Sequence, residues 1–303
     1  MVSTGAKQSI ANVVLCLINP GDEVIVPAPY WVSYSQIIKL AGGVPVFITT
    51  TVENDYKVTP EQLEAAITPK TRMLIFSSPC NPSGTVYTSQ ELEGIAQVVS
   101  KHDELYIVSD EIYEHINFGG QHVSIAAFPS VRDRVIIING VSKGYAMTGW
   151  RIGYIGAPTW IAKACDKMQG QFTSGASSIS QKAALAALRS GGAFFKEMRD
   201  TYERRRDLVV NALRKIPGLK VNVPMGAFYV FPDVSGFFGK TDGATVIQNP
   251  NDLSMYLLKD AHVSVVTGEA FGDDRCIRLS YATSDDLLQK AMERITNSLG
   301  KLR

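Results

Sequence analysis

Paired cysteines and clustered histidines are missing from this sequence. Its four cysteines are far apart and none forms a CxxC pair, which predicts buried free thiols in a reducing compartment rather than disulfides. Its four histidines show neither HxH nor HExxH spacing, so we expect no metal site. The cysteines are Cys16, Cys80, Cys165 and Cys276, and the histidines are His102, His115, His122 and His262.

Long apolar runs and an excess of one charge are also missing. No apolar run reaches the roughly 18 residues that a membrane span needs, and the start of the chain lacks the charged and apolar parts of a signal peptide, so we expect a cytoplasmic protein. Thirty basic residues against 29 acidic ones give a net charge of +1. This balance points neither to nucleic acid nor to an anionic membrane as a partner, and a small zwitterionic ligand fits it better.

The pattern of strands and helices changes along the chain. From residue 1 to about 160, apolar strands alternate with helical segments at the spacing of βαβ units, which predicts an α/β fold with a mainly parallel, doubly wound sheet. Capping boxes, Thr59 with Gln62 and Thr88 with Glu91, predict the starts of two of these helices. We expect a large domain of residues 1–200 and a smaller α+β domain of residues 201–303. In the second domain we predict strands at 219–223, 226–231, 263–266 and 276–281 and helices at 251–260 and 284–299.

A lysine follows one of the most apolar segments of the chain. Residues 134–138 predict a strand buried on both faces, which ends in the turn dipeptide Asn139-Gly140. Lys143 therefore lies at the carboxyl end of a strand, where ligands bind in open α/β sheets. Sheltered from water, this lysine would have a lowered pKa and form a Schiff base with a carbonyl cofactor. A Ser-Lys pair in a turn is by itself an ordinary surface feature, so the prediction depends on its neighbours.

Other reactive side chains follow the neighbouring predicted strands. Asn81 follows one strand, and Asp110 and Tyr113 follow another, at the same edge of the sheet as Lys143. A pyridine-ring cofactor needs a carboxylate to keep its ring nitrogen protonated, and Asp110 supplies one. Tyr113 and Asn81 supply hydrogen bonds to its phenolate oxygen, and Trp31 supplies an aromatic ring to stack on it.

A phosphate site is predicted at the beginning of the chain. A short strand end leads through Gly5 into a helix whose first amides, near Lys7, are free to hold an anion. Ser142 and Arg151 add a hydroxyl and a fixed positive charge. Together these groups would hold the phosphate ester of a cofactor.

Each of these residues also has an ordinary explanation when it is taken singly. Asp110 would cap the turn that follows it, and Trp31 would belong to the core. Arg278, in the predicted strand at 276–281, would pair with a neighbouring acid. Their order along the chain and their shared structural position argue for one site instead.

Four ordered stretches of the sequence carry a family resemblance: SSPCNPSG (77–84), SDEIYEHI (109–116), NGVSKGYAMTGWRIGY (139–154) and IRLSYAT (277–283). They resemble class I pyridoxal-phosphate aminotransferases of fold type I, and the bacterial aspartate aminotransferase branch most of all, over the whole chain. The resemblance implies transfer of an amino group between L-aspartate or L-glutamate and a 2-oxo acid through pyridoxal 5′-phosphate. It also implies a homodimer with shared active sites.

The resemblance assigns a role to each matching position. Lys143 matches the lysine that holds the cofactor and moves the proton at the substrate α-carbon. Asp110 matches the partner of the pyridinium nitrogen, and Tyr113 and Asn81 match the groups at the phenolate oxygen. Arg278 matches the arginine that binds the substrate α-carboxylate, and a guanidinium suits this task because it meets a carboxylate in bidentate geometry.

The remaining matches concern the ring face, the phosphate and the substrate. Trp31 matches the stacking ring, and in this branch the lysine in the place of Lys7 is also associated with the distal carboxylate of a dicarboxylic substrate. The matches to the phosphate-binding cluster are Gly5, Ala6, Lys7 and Arg151, with Ser142 as a further candidate. The expected substrate-binding residues are Lys7, Trp31, Asn81 and Arg278.

The sequence departs from the family pattern in two places. Family members carry a further N-terminal region before the turn at Gly5, so we expect a truncated chain with exposed apolar surface and a weakened dimer. Gly140 stands where several relatives have a phosphate-binding hydroxyl. Two alternatives stay open: a prephenate or aromatic aminotransferase, because residues 169–178 resemble the prephenate-accepting relatives, and a non-catalytic, cofactor-binding remnant.

Overall fold

Runs of branched apolar residues form the centre of the main sheet. The computed structural model describes residues 1–303, and in it most residues of the strands at 23–28, 71–77, 106–110 and 135–140 are buried. Burial on both faces is what a continuous apolar run predicts for a strand covered by helices on either side. The strands of this sheet are β1 Val2–Ser3, β2 Glu23–Ala28, β3 Val44–Thr49, β4 Thr71–Ser77, β5 Tyr106–Asp110, β6 Val135–Gly140 and β7 Gly153–Gly156.

The sheet is parallel in its greater part and antiparallel at one side. Its strand order is β1-β7-β6-β5-β4-β2-β3, and the strands from β3 to β6 all run in the same direction. β7 is antiparallel to β6, and β1 is antiparallel to β7. The predicted α/β fold with a mainly parallel sheet is therefore confirmed, and the carboxyl ends of β4, β5 and β6 meet at one edge.

Helices follow the strands at the predicted places. Two of them begin with the predicted capping boxes, in which Thr59 and Gln62, and likewise Thr88 and Glu91, exchange side-chain and backbone hydrogen bonds. The helices of this part are α1 Ala6–Leu17, α2 Ser33–Leu40, α3 Pro60–Ala66, α4 Ser89–Ser100, α5 Thr159–Phe172, α6 Ser178–Arg189 and α7 Phe195–Leu213.

Two apolar clusters cover the two faces of the sheet. Neighbouring residues of β2 show the alternation expected of a strand, since Val24 and Val26 belong to one cluster and Ile25 to the other. Residues of α1, α2 and α5 complete the first cluster, and residues of α3 and α4 complete the second. The sheet edge that carries the candidate site is thus held between two layers of helices.

A second, three-stranded sheet follows in the C-terminal part. It is antiparallel, with the order β8-β10-β9, and packs with its helices around a separate apolar cluster. The predicted strand at 219–223 is wrong, because only the isolated bridge of Lys220 with Asp233 forms there. The elements are β8 Tyr229–Val230, α8 Pro250–Tyr256 with a π-helical turn Leu257–Ala261, β9 Val266–Thr267, β10 Ile277–Ser280 and α9 Asp285–Leu299.

The long helix α7 contacts both parts of the molecule. Met198, in its first half, packs against the cluster that contains Tyr113, Tyr202 contacts this cluster and the C-terminal one, and Val209 and Leu213, in its second half, belong to the C-terminal cluster. This change of partner agrees with a domain boundary near residue 200, which stays a prediction.

All four cysteines are free, as predicted, but burial differs among them. Cys165 and Cys276 are buried, whereas Cys16 and Cys80 are partly exposed, which corrects the expectation of four buried thiols. None of the helices combines the length and the apolar character that crossing a membrane requires.

Candidate active site

One cavity of about 290 Å³ opens at the edge where β4, β5 and β6 end. It brings together ten of the eleven residues predicted from the sequence, and the eleventh, Gly5, adjoins it through its contact with Arg151. The ten are Ala6, Lys7, Trp31, Asn81, Asp110, Tyr113, Ser142, Lys143, Arg151 and Arg278.

Lys143 lies in the turn after β6, with its ammonium nitrogen near two aromatic rings. Its Nζ is 5.8 Å from the ring centroid of Tyr113 and 5.7 Å from that of Phe228. Burial lowers the pKa of Lys143, and the positive charges of Arg151 and Arg278 lower it further. A lysine in this setting gives up its proton more readily than one at the surface and is thereby activated as a nucleophile.

Asp110 is the last residue of β5 and its carboxylate is buried. Tyr34 of α2 donates a hydrogen bond of 2.6 Å to Oδ2, and the backbone N–H of Ile112 donates one of 3.3 Å to Oδ1. Burial raises the pKa of Asp110 to about 6, although the hydrogen bond from Tyr34 acts in the opposite direction. The carboxylate is therefore costly to keep ionised unless a cation binds beside it.

We expect Asp110→Asn to stabilise the cofactor-free chain above neutral pH. The folded-state pKa of about 6 lies above the ordinary aspartate value of 3.8, so the folded chain binds the proton more tightly, and stability is lost as the pH rises through the folded pKa. The amide of asparagine does not ionise, so the variant avoids the free-energy cost of ionising a buried carboxyl group, which is about 3 kcal/mol at most. Denaturant unfolding should thus give a higher free energy for the variant near about pH 8 and equal values below about pH 4.

Asp103→Asn is the matched control for this prediction, because Asp103 is an exposed aspartate outside the cavity. It should leave the free energy of unfolding nearly unchanged at both pH values. If Asp110→Asn changed the free energy of unfolding by the same amount at both pH values, the effect would not come from the buried charge of Asp110.

The amino end of α1 forms the basic end of the cavity. The first-turn amides of Ala6 and Lys7 have no acceptor within the helix, and the exposed guanidinium of Arg151 lies beside Gly5. Gly5 has a φ of 83° and a ψ of 157°, a backbone conformation that residues with a Cβ rarely adopt, so glycine is favoured at this position. Free amides and a guanidinium at one helix terminus are the donors that a phosphate group requires.

Ser142 lines the same cavity, whereas no side chain fits at Gly140. A Cβ on Gly140 would lie 2.7 Å from the carbonyl oxygen of Ile152 and 3.0 Å from Cα of Gly153. Gly140 thus allows β7 to approach β6 closely, and Ser142 supplies a hydroxyl to the cavity lining.

Arg278 reaches the cavity from β10 with its guanidinium held in a fixed plane. The guanidinium carbon lies 4.5 Å from the ring centroid of Tyr229 and 4.7 Å from that of Phe271, and Nη1 donates a 3.0 Å hydrogen bond to Oδ1 of Asn81. Its buried Nε has no hydrogen-bond partner. Burial lowers the pKa of Arg278, and a carboxylate ligand would compensate this unpaired cation.

Trp31 and Lys7 form one wall of the cavity. The ammonium nitrogen of Lys7 lies 4.9 Å from the ring centroid of Trp31, and the ring of Tyr34 meets Trp31 edge-on at 5.5 Å. An aromatic face held in this way is available for stacking.

The cavity also contains residues that sequence reasoning missed. Tyr34 comes three residues after Trp31 at the start of α2, and Ser77 is the last residue of β4, so nearness to a predicted site residue and to a strand end were usable signals for the two. Tyr229 comes from the C-terminal sheet and no local pattern marks it. The missed lining residues are Tyr34, Ser77, Ile112, Thr148 and Tyr229.

A group of possible metal ligands lies outside the cavity lining. Glu111, Glu114 and His122 offer ligand atoms within 4.8 Å of one another, which the spacing of histidines did not indicate. The buried carboxylate of Glu111 already accepts hydrogen bonds from Ser109 and Ser124, and His122 Nε2 lies 3.0 Å from it. Internal hydrogen bonds thus account for this group.

The comparison with protein families identifies the chain. Residues 1–295 match the model described as aminotransferase class I and II, and the chain belongs to this family. The resemblance found in the sequence motifs is thereby confirmed.

Individual relatives and solved structures agree with this assignment. A bifunctional aspartate aminotransferase and glutamate/aspartate-prephenate aminotransferase of Petunia hybrida is 49% identical over 99% of this chain and 64% of its own length. An aspartate/prephenate aminotransferase of Cereibacter sphaeroides is 46% identical over 97% of this chain and 74% of its own length. The crystal structure of an aspartate aminotransferase from Rhizobium meliloti superposes with a TM-score of 0.97 at 45% identity, covering 100% of this chain and 76% of that one. The chain thus spans less than two thirds of the petunia relative.

Proposed function

We propose that this chain carries the active site of an aspartate aminotransferase, which transfers an amino group between L-aspartate or L-glutamate and a 2-oxo acid. The observation that supports the proposal is the cavity, whose lining combines four basic side chains with the buried carboxylate of Asp110. Such a site suits a ligand with several anionic groups and one cationic ring nitrogen. The names of the petunia and Cereibacter relatives support the same reaction.

The residues of the cavity fit pyridoxal 5′-phosphate as the cofactor. When bound, it supplies an electron-withdrawing pyridine ring and a carbonyl carbon that amines attack. Asp110 would pair with the protonated ring nitrogen, Tyr113 and Asn81 would donate to the phenolate oxygen, and Trp31 would stack on the ring. The phosphate would be held by the residues at the amino end of α1 and beside it: Gly5, Ala6, Lys7, Ser142 and Arg151.

Lys143 has two tasks in this proposal. Burial lowers the pKa of Lys143, so Nζ loses its proton more easily and would hold the cofactor covalently. Nζ would also take the proton from the substrate α-carbon and hold it for its return during the transfer. The reaction has two halves: an amino acid first gives its amino group to the cofactor, and a 2-oxo acid then accepts it. The same proton transfer would be needed once in each half.

Arg278 and Lys7 would bind the two ends of a dicarboxylic substrate. The fixed guanidinium plane of Arg278 presents paired N–H donors to the α-carboxylate, and Asn81 keeps the plane oriented. Lys7 would provide the charge for the distal carboxylate. Trp31 adjoins this second position through its contact with Lys7.

We also propose that the chain forms a homodimer with shared active sites and is divided near residue 200 into a cofactor-binding and a small domain. Large apolar side chains, Phe172 at the end of α5 and Ile179 at the start of α6, are more than two thirds exposed, which supports an interface there. The change of packing partner along α7 supports the domain division.

Prephenate is the second candidate substrate. The petunia and Cereibacter relatives carry prephenate in their names, at 49% and 46% identity. In both cases Arg278 would bind the same α-carboxylate, so the two candidates differ only at the distal end of the substrate.

Turnover assays with the purified chain and pyridoxal phosphate test the proposal. We expect oxaloacetate from aspartate and 2-oxoglutarate, and a parallel assay with glutamate and prephenate measures the second activity. A higher kcat/KM with prephenate than with oxaloacetate as amino acceptor would favour the second candidate. A visible absorption band of bound cofactor without any 2-oxo acid product would contradict both and identify a non-catalytic binding protein.

A further inference from the structure

Tyr229 lies between a proposed substrate-binding residue and a proposed cofactor-binding residue of the candidate site. It belongs to β8, the two-residue strand of the C-terminal sheet, and its side chain lines the cavity while being 7% exposed. Two of its contacts reach residues with different proposed tasks, Arg278 and Tyr113.

The first contact is between the ring of Tyr229 and Arg278. The guanidinium carbon lies 4.5 Å from the ring centroid, and Phe271 stands at 4.7 Å from the same carbon. A guanidinium near aromatic faces is stabilised as a cation and loses rotational freedom. The ring of Tyr229 therefore keeps the N–H donors of Arg278 directed toward the cavity.

The second contact is between two hydroxyls. The oxygens of Tyr229 and Tyr113 are 3.1 Å apart, and their rings meet edge-on at 6.0 Å. A phenol hydroxyl has one hydrogen to donate and accepts through its lone pairs. When Tyr229 donates to Tyr113, the hydrogen of Tyr113 is left to point into the cavity.

We propose that Tyr229 is a positioning residue for both substrate binding and cofactor binding. Its ring orients the guanidinium of Arg278, and its hydroxyl orients the hydroxyl of Tyr113. This inference rests on the proposed function, in which Arg278 binds the substrate α-carboxylate and Tyr113 donates to the cofactor. The C-terminal sheet supplies Tyr229 and Arg278, whereas Tyr113 follows β5 of the main sheet. One side chain thus joins the substrate-binding arginine to the cofactor-binding tyrosine.

The two tasks are separable, because they use different parts of the side chain. Tyr229→Phe keeps the ring over Arg278 and removes only the hydroxyl. We expect cofactor affinity to fall by about three- to tenfold, the range of one hydrogen bond. The pH midpoint of the visible absorbance change should rise, because the anionic oxygen of the cofactor loses part of its hydrogen bond. The dissociation constant of maleate, a dicarboxylate probe measured calorimetrically on the cofactor-free chain, should change less than about twofold.

Tyr229→Leu removes the ring as well. We expect the dissociation constant of maleate to rise by about three- to thirtyfold, as for the loss of a desolvated cation–π contact. The KM for aspartate and that for 2-oxoglutarate should rise together, because both substrates present an α-carboxylate to Arg278. The loss of cofactor affinity should match that of Tyr229→Phe, since both variants lack the hydroxyl.

Tyr281→Phe is the control, because it removes another buried tyrosine hydroxyl that donates to the backbone oxygen of Ala227 and does not line the cavity. It should leave cofactor and maleate affinity unchanged. If Tyr229→Phe and Tyr229→Leu weaken maleate equally, or if Tyr229→Phe leaves the pH midpoint in place, Tyr229 has only a structural role. If the wild-type chain binds neither pyridoxal phosphate nor maleate, the proposed function itself fails, and this inference with it.

Discussion

Replacing Lys143 with alanine should lower the rate of transamination by about 10⁴-fold or more. One nitrogen is proposed to hold the cofactor and to move the proton at the substrate α-carbon, so the substitution removes both. The other lysine in the cavity, Lys7, is exposed and lies against Trp31, which leaves no second amine at the position of Lys143. Initial rates with aspartate and 2-oxoglutarate measure the effect.

The covalent link to the cofactor gives a second measurement that does not depend on turnover. Borohydride reduction of the loaded wild-type chain should fix the cofactor on the peptide that contains Lys143, and mass spectrometry should find no modification of Lys143→Ala. Lys39→Ala is the control, because this lysine is exposed on α2 outside the cavity. A Lys143→Ala variant that retains about a tenth of the wild-type rate would show that another group transfers the proton.

Replacing Arg278 with lysine should raise the KM for aspartate and for 2-oxoglutarate by about 10²- to 10³-fold, with a smaller effect on kcat. The charge is kept, but the planar pair of donors is lost, together with the hydrogen bond to Asn81 and the packing against Tyr229 and Phe271. A lysine ammonium offers a single point charge in place of the two parallel N–H donors of the guanidinium. Steady-state kinetics with each substrate varied in turn measure the change.

Arg275→Lys provides the matched control for Arg278. Arg275 lies three residues earlier, is bound by Asp273 and does not line the cavity. Its substitution should leave both KM values within about twofold of the wild type. Unchanged KM values in Arg278→Lys would mean that the substrate α-carboxylate binds elsewhere in the cavity.

The sequence determined those features that depend on neighbouring residues. Both capping boxes were predicted and found, because a cap involves a threonine and a glutamine or glutamate only three residues apart. The strands that end before Asn81, at Asp110 and before Lys143 were recognisable as apolar runs. Parallel strands then bring those three residues to one edge, so most of the candidate site followed from strand positions and strand direction.

Only the tertiary structure decided which distant residues meet. Tyr34 and Asp110 are 76 residues apart, Tyr113 and Tyr229 are 116 apart, and Asn81 and Arg278 are 197 apart, so no local pattern predicts these hydrogen bonds. The predicted strand at 219–223 was wrong for a related reason. A short apolar segment becomes a strand only where a neighbouring segment offers a continuous row of hydrogen bonds, and here only one isolated bridge forms. Local sequence thus determined the elements and their reactive ends, while packing between the two sheets decided how those ends are oriented.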